Sequence, residues 1–204
     1  MRIYFVRHGE TEWNRKGKIQ GQADIPLNPQ GREEAERAAE YLKKIPFDAA
    51  FSSPLIRAAK TGEIILGDRP CGLKKTDLLK EISYGNREGQ SLRLIHFWPF
   101  CRLHAYFCHP ERFSPPSGGE SIGALKERCR QFLQEVLRPL ENEKQHVLVT
   151  AHGALIRGMI SEIRSLPDKE FWKGNEQKNC SVTLAECVRG HFRIIKDAAD
   201  ASEI

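Results

Sequence analysis

Residues 2–14 read RIYFVRHGETEWN. Residues 2–6 (RIYFV) have the β-branched and aromatic content of a buried strand, and the strand stops where Arg7, His8 and Gly9 begin. Open α/β sheets bind ligands beyond the carboxyl ends of their strands. Arg7 and His8 therefore stand where chemistry is usually placed, and the rest of the chain has to say what they hold.

Working outward, LNPQG ends a loop in which Asn28 caps a helix with Pro29 as its first residue. Ala35, Ala38, Ala39 and Leu42 recur at helical spacing, and the helix ends before Pro46. A short strand follows over Asp48–Ser52. Ser53 and Pro54 repeat the pattern of cap plus proline and predict a helix with Leu55, Ala58, Ala59, Ile65 and Leu66 on one face. Another short strand is expected within residues 73–79. From about Tyr84 to Gly119 the alternation breaks into an aromatic- and His-rich segment ending in SPPSGG, read as an insertion over one end of the sheet. A long helix from about Glu120 to Leu137 leads to HVLVTA (146–151), the clearest buried strand, and then to a helix from Ala154 to about Ile163. The tail, NCSVTLAECVRGHFRIIK, predicts two strands around a turn at Arg189 and Gly190. Such alternation predicts an α/β protein, a three-layer α/β/α arrangement on a mostly parallel sheet with right-handed crossovers.

The chain has 204 residues, of which 40% are hydrophobic and 29% charged, values that suit one folded domain over 1–204 with the insertion at about 84–119. Net charge is +5, with both signs interleaved, which favours small anionic ligands over nucleic acid. MRIYFVRHG carries too short an apolar stretch for a signal peptide, and no apolar run approaches a membrane span of about 20 residues. A cytoplasmic protein with no membrane partner is expected. Its six Cys form no CxxC pair, so reduced thiols are expected rather than a disulfide framework. Monomer and homodimer are both open.

Two strands end alike, since FVRHG and VTAHG each deliver a His followed by Gly at the sheet edge. Arg57 falls in the first turn of its predicted helix, where the macrodipole disfavours a cation by about 0.3–1 kcal/mol. An anion held there would offset that cost. Together with Arg7 it points to guanidinium forks and helix N-terminal amides converging on phosphate oxygens.

FVRHGETEWN, GQADIPLNPQG, SSPLIRAAKTGEII, KEISYGNREGQS, PPSGGES and VTAHGALIR, in this order, resemble the successive motifs of the histidine phosphatase superfamily, in its phosphoglycerate mutase-like branch. The resemblance spans Arg2 to roughly Asp168. It implies that His8 is the nucleophile that becomes phosphorylated and that Arg7, Arg57 and His152 hold the phosphoryl group. Asn14, the backbone around Gln20 and Gly21, and Gly153 would complete the pocket. Glu81 would be the proton donor, a role that spacing alone would not have selected. Thr11 has two readings, a hydrogen bond to ligand or a cap on its turn. Many phosphatases of the family have Trp in the segment Gly-x-Trp-Glu-Gly, whereas this chain has GNREG, with Arg87 in the aromatic's place.

The resemblance implies a phosphatase that hydrolyses a small phosphorylated metabolite through a phosphohistidine, with no metal or organic cofactor. Its nearest rival is a mutase. Mutases of the family resemble one another in an adjacent Arg pair within the insertion, and here Arg93, Arg102 and Arg112 are dispersed. Among substrates, a sugar phosphate, phosphoglycerate, phosphoserine and the α-ribazole phosphate of cobalamin synthesis stay open. The aromatic lid sequence fits stacking on a substrate or packing on the domain. Cys101, His104, Cys108 and His109 fall on one helical face, but four ligands along a single helix rarely converge tetrahedrally, so metal is not expected there. A catalytically silent phosphate-binding module is disfavoured because the nucleophile and acid positions are both filled.

Overall fold

A computed structural model describes residues 1–92 and 102–204. Arg93 and Cys101 fall outside the described residues, as does the side chain of Arg102. The molecule is built on a six-stranded sheet in the order β3-β2-β4-β1-β5-β6. Strands β1 (Arg2–Arg7), β2 (Ala49–Ser52), β3 (Lys74–Lys75) and β4 (His146–Ala151) run parallel. Strands β5 (Val182–Val188) and β6 (His191–Ala199) add an antiparallel hairpin next to β1. The expected mostly parallel α/β sheet is the one observed. The hairpin turns at Arg189 and Gly190, both at positive φ (54° and 75°), as a two-residue mirror-image turn requires.

Helices cover both faces, so the central strands are apolar on successive residues and not on alternate ones. Tyr4, Val6, Ala50 and Leu148 pack against Ala35, Ala38 and Leu42 and against Ile65 and Leu66. The first three belong to helix α2 (Pro29–Tyr41) and the residue after it, the last two to α3 (Ile56–Leu66). Ile3, Phe5, Phe51, Val147 and Val149 form the opposite core with α5 (Ile122–Gln131) and α6 (Gly153–Ile163). Two further helices are short: α1 (Glu12–Arg15) follows β1, and α4 (Arg102–Cys108) lies in the insertion.

Two predicted boundaries shift. The helix after β2 begins at Ile56 and not at Pro54, because Leu55 is extended and Ser53 Oγ only accepts from the Leu55 amide, at 3.3 Å. Its cap comes from another loop, with Asp24 Oδ1 accepting from Ile56 N at 2.6 Å. The long helix predicted to Leu137 is α-helical only from Ile122 to Gln131 and widens into a π turn over Phe132–Leu137. Pro139 lacks an N–H and crowds the carbonyl four residues before it, which disfavours a regular α turn there.

The segment read as an insertion is pinned at its neck. Tyr84 and Gly119 form an antiparallel bridge, and Glu120 N donates to Ser83 O at 2.8 Å. Within it, Leu103 and Tyr106 of α4 are buried, and Trp172 Nε1 donates to Tyr106 O at 2.7 Å. No helix among the described residues is long and apolar enough to cross a membrane.

Candidate active site

Register places the two histidines. Strands β1 and β4 are parallel neighbours with Arg7 opposite Ala151, so the chains leave the sheet side by side as His8 and His152. Their ring centroids are 5.2 Å apart, edge to face. His8 Nδ1 donates to Gly9 O at 2.7 Å, because a carbonyl can only accept. This fixes the tautomer and leaves the lone pair on Nε2, where Arg57 Nε donates at 3.2 Å. Asn179 Nδ2 holds the His8 carbonyl at 2.9 Å. Gly9 is required by close approach of α2, since a Cβ there would lie 2.2 Å from Gly31 O.

Arg57 is the second residue of α3 and is wholly buried. Nη1 donates to Ala23 O and Nη2 to Gly21 O, each at 2.7 Å, so the loop that caps α3 through Asp24 also orients the guanidinium. Gly21 serves this loop at a φ of +53°, and a Cβ there would lie 2.1 Å from Glu88 Oε1. Burial lowers the Arg57 pKa to about 10, which leaves the group a cation at neutral pH.

Glu81 is half-buried at the start of α6. Its Oε1 accepts from Ile82 N (2.9 Å) and Leu155 N (3.0 Å), and Oε2 from Ala154 N (3.2 Å). Burial raises its pKa above the ordinary carboxylate value despite these amides. Burial, reinforced by Arg57 and Arg7, holds His8 well below 6.5, so the imidazole is neutral and nucleophilic. His152 is held well below 6.5 first by burial and then by Arg57 and His8. It is fully buried, and neither ring nitrogen has a hydrogen-bond partner among the described residues. Arg7 Nη1 donates to Gln177 O at 2.5 Å, while its Nε has no partner among the described residues.

A model of the histidine phosphatase superfamily (branch 1) matches residues 3–199. The chain belongs to that superfamily. It is 37% identical over 161 residues to an uncharacterized phosphatase, PhoE, of Bacillus subtilis, covering 79% of this chain and 76% of that one. It is 30% identical over 182 residues to the 2,3-bisphosphoglycerate-dependent phosphoglycerate mutase of Parvibaculum lavamentivorans, covering 82% of each. The structure of a phosphoserine phosphatase mutant from Entamoeba histolytica, in complex with phosphoserine, superposes with a TM-score of 0.85 at 28% identity, covering 100% of this chain and 99% of that one.

In this histidine phosphatase, Arg7, His8, Asn14, Gln20, Gly21, Arg57, Glu81 and Gly153 line one cleft of about 520 Å³. His152 lies beside His8 but does not line the cleft. Thr11 is fully buried and does not line it either; its Oγ1 accepts from Asn14 N at 3.1 Å and lies 2.9 Å from Gln20 Oε1, so it caps α1 and positions two residues that do. The same cleft is lined by Lys18, Leu92 and the aromatics Tyr84, Phe107 and Trp172, which supply the wall that Arg87 does not. Phe107 stacks on Trp172 at 5.7 Å. His104 Nε2 and Cys108 Sγ lie 3.6 Å apart on α4.

Sequence reasoning passed over Arg157, Gln177 and Asp197 of the histidine phosphatase. Arg157 is buried, lines the cleft and pairs with Asp197 at 3.1 Å. The signal available was an arginine inside the apolar run GALIRGMI.

Proposed function

We propose that the chain is a phosphomonoesterase that hydrolyses a small phosphorylated metabolite through a phosphohistidine at His8, without a metal. The observation that carries this is the single Nε2 lone pair of a neutral, oriented His8, flanked by the Arg57 guanidinium and by Glu81, a carboxyl group biased toward its protonated form. On substrate binding Arg57 turns from the imidazole to a phosphoryl oxygen, and Arg7 and His152 supply further donors.

His8 Nε2 attacks phosphorus in line with the ester oxygen. The P–O bond breaks and Glu81 gives its proton to the leaving oxygen, releasing an alcohol. The Glu81 carboxylate then takes a proton from water, whose oxygen attacks phosphorus. The N–P bond breaks, and inorganic phosphate leaves a neutral His8 and a protonated Glu81. Guanidinium charge takes the part played by metal ions in other phosphoryl transfers.

Hydrolysis is favoured over transfer to a second hydroxyl because Arg112 lies at the surface, its side chain 78% exposed and 3.7 Å from Glu111, and is not a cleft residue. A cleft of about 520 Å³ far exceeds one phosphate and leaves space for an organic group against the aromatic wall.

The test is hydrolysis of p-nitrophenyl phosphate with and without a chelator, combined with alkaline quenching to trap acid-labile phosphohistidine. Turnover unaffected by the chelator, with label on residue 8, is expected. No turnover from mildly acidic to neutral pH would make the chain a silent binding module, and loss of turnover with chelator would place a metal in the reaction.

A further inference from the structure

We infer that Asp197 is a positioning residue for Arg7, acting through Gln177, and that the irregular pairing of β6 serves to place it there. This rests on the proposed role of Arg7 as a phosphoryl ligand.

Among the described residues the Arg7 guanidinium makes one hydrogen bond, to the Gln177 carbonyl at 2.5 Å. Gln177 is buried and fixed through its side chain, with Nε2 donating to Asp197 Oδ1 at 2.9 Å and Oε1 accepting from Thr183 Oγ1 at 3.1 Å. Asp197 Oδ1 and Oδ2 accept from Arg157 Nη1 at 3.2 and 3.1 Å, and the Asp197 carbonyl accepts from Asn175 Nδ2 at 2.8 Å. Arg164 adds a second cation at 3.5 Å. Packing is close, since a Cβ on Gly174 would lie 2.5 Å from Asp197 Oδ2. The loop carrying residues 174–177 is thus clamped to β6 and presents one carbonyl to Arg7.

Strand alternation would not place Asp197 there. Phe192 and Ile194 face the core that holds α6, and in a regular strand Lys196 would follow them. The ladder instead steps from Ala185↔Ile194 to Leu184↔Lys196, with Ile195 as the extra residue. That bulge turns Lys196 to the α2 side, where it lines a separate groove with Arg37 and Tyr41, and turns Asp197 toward Arg157 of α6. Ala198 follows at φ 51°, a conformation residues with a Cβ rarely adopt, and Thr183 Oγ1 holds its amide at 3.0 Å. Bulges and strained residues gather next to functional sites because they re-aim side chains.

The test is a double-mutant cycle. Asp197→Asn and Gln177→Met are each made in the wild type and in Arg7→Gln, with kcat/KM on p-nitrophenyl phosphate, affinity for inorganic phosphate by calorimetry, and melting temperature measured for every variant. Gln177→Met keeps the carbonyl that Arg7 uses and carries the cycle if Asp197→Asn folds poorly. In the wild type each change is expected to lower kcat/KM and phosphate affinity by about 10- to 100-fold. In the Arg7→Gln background the further loss should stay under about twofold, which a merely structural role would not produce. Equal losses in the two backgrounds, or no loss in either, overturn the inference and leave the phosphatase reading standing. Non-additive phosphate affinity without any turnover would keep the positioning role and end the phosphatase reading. A wild type with neither turnover nor phosphate binding ends both.

Discussion

FVRHG and VTAHG read as twins, yet the structure holds their imidazoles in opposite ways. His8 is bonded at both ring nitrogens, to Gly9 O and to Arg57 Nε, and its carbonyl is held by Asn179. Among the described residues His152 is bonded at neither, and its ring lies 5.2 Å away. An orphaned buried ring costs stability unless something arrives to bond it. In the proposed reaction the contrast separates a nucleophile, which needs one aimed lone pair, from an oxygen ligand, which needs only to be near and unspent.

The largest test of that contrast is His8→Ala. Removing the aimed lone pair should lower kcat by about 10⁴-fold or more while the melting temperature holds, since the ring's bonds serve the site and not the core. A rate within tenfold of wild type would move the nucleophile elsewhere.

His152→Asn should cost less, about 10²–10³-fold, because it removes one donor to the phosphoryl oxygens and leaves the attacking atom in place. Kinetics of p-nitrophenyl phosphate hydrolysis would show it. A loss equal to that of His8→Ala, with label still trapped on residue 8, would make His152 a participant in the second step.

Glu81→Gln sharpens the comparison from the acid's side. The carboxyl donates only while protonated, so for alkyl phosphates kcat/KM should fall as pH rises through its raised pKa. In the variant that descending limb should vanish, with a loss of about 10²-fold for alkyl phosphates and a smaller one for p-nitrophenyl phosphate, whose leaving group needs no proton. Equal losses for both substrates would assign Glu81 to binding.

The smallest effect is on stability. Both imidazoles have folded pKa values well below 6.5, mainly through burial. As pH falls through 6.5 the unfolded chain takes up protons that the folded chain refuses, so stability is lost on acidification from there downward. Each ring contributes at most about 1.4 kcal/mol per pH unit in that window. Melting temperature measured from pH 7 to pH 5 should fall less steeply in His152→Asn than in the wild type, and parallel curves would show that His152 does not resist protonation.

The inner half of the site was legible because its signals are local. Apolar strands that end in His and Gly, and an arginine where the helix dipole opposes it, can be read off a few adjacent residues. Glu81 was reached only through the resemblance, since its selecting contacts are amides of α6, more than 70 residues away. The cap of α3 was misplaced because its acceptor is Asp24, 32 residues upstream, and no local pattern encodes that. Asp197 was illegible for another reason: one extra residue in β6 reverses which side chains face α6, and alternation read from sequence assumes none.

The bridge between Tyr84 and Gly119 has a consequence for descent. With its two feet joined, added length between them costs little in closure entropy, since each doubling of a loop costs only about 0.6 kcal/mol. Mutation can then re-tailor which molecules are admitted while the phosphorus-handling floor passes on unaltered. Relatives with one floor and many appetites are what such a pinned neck allows.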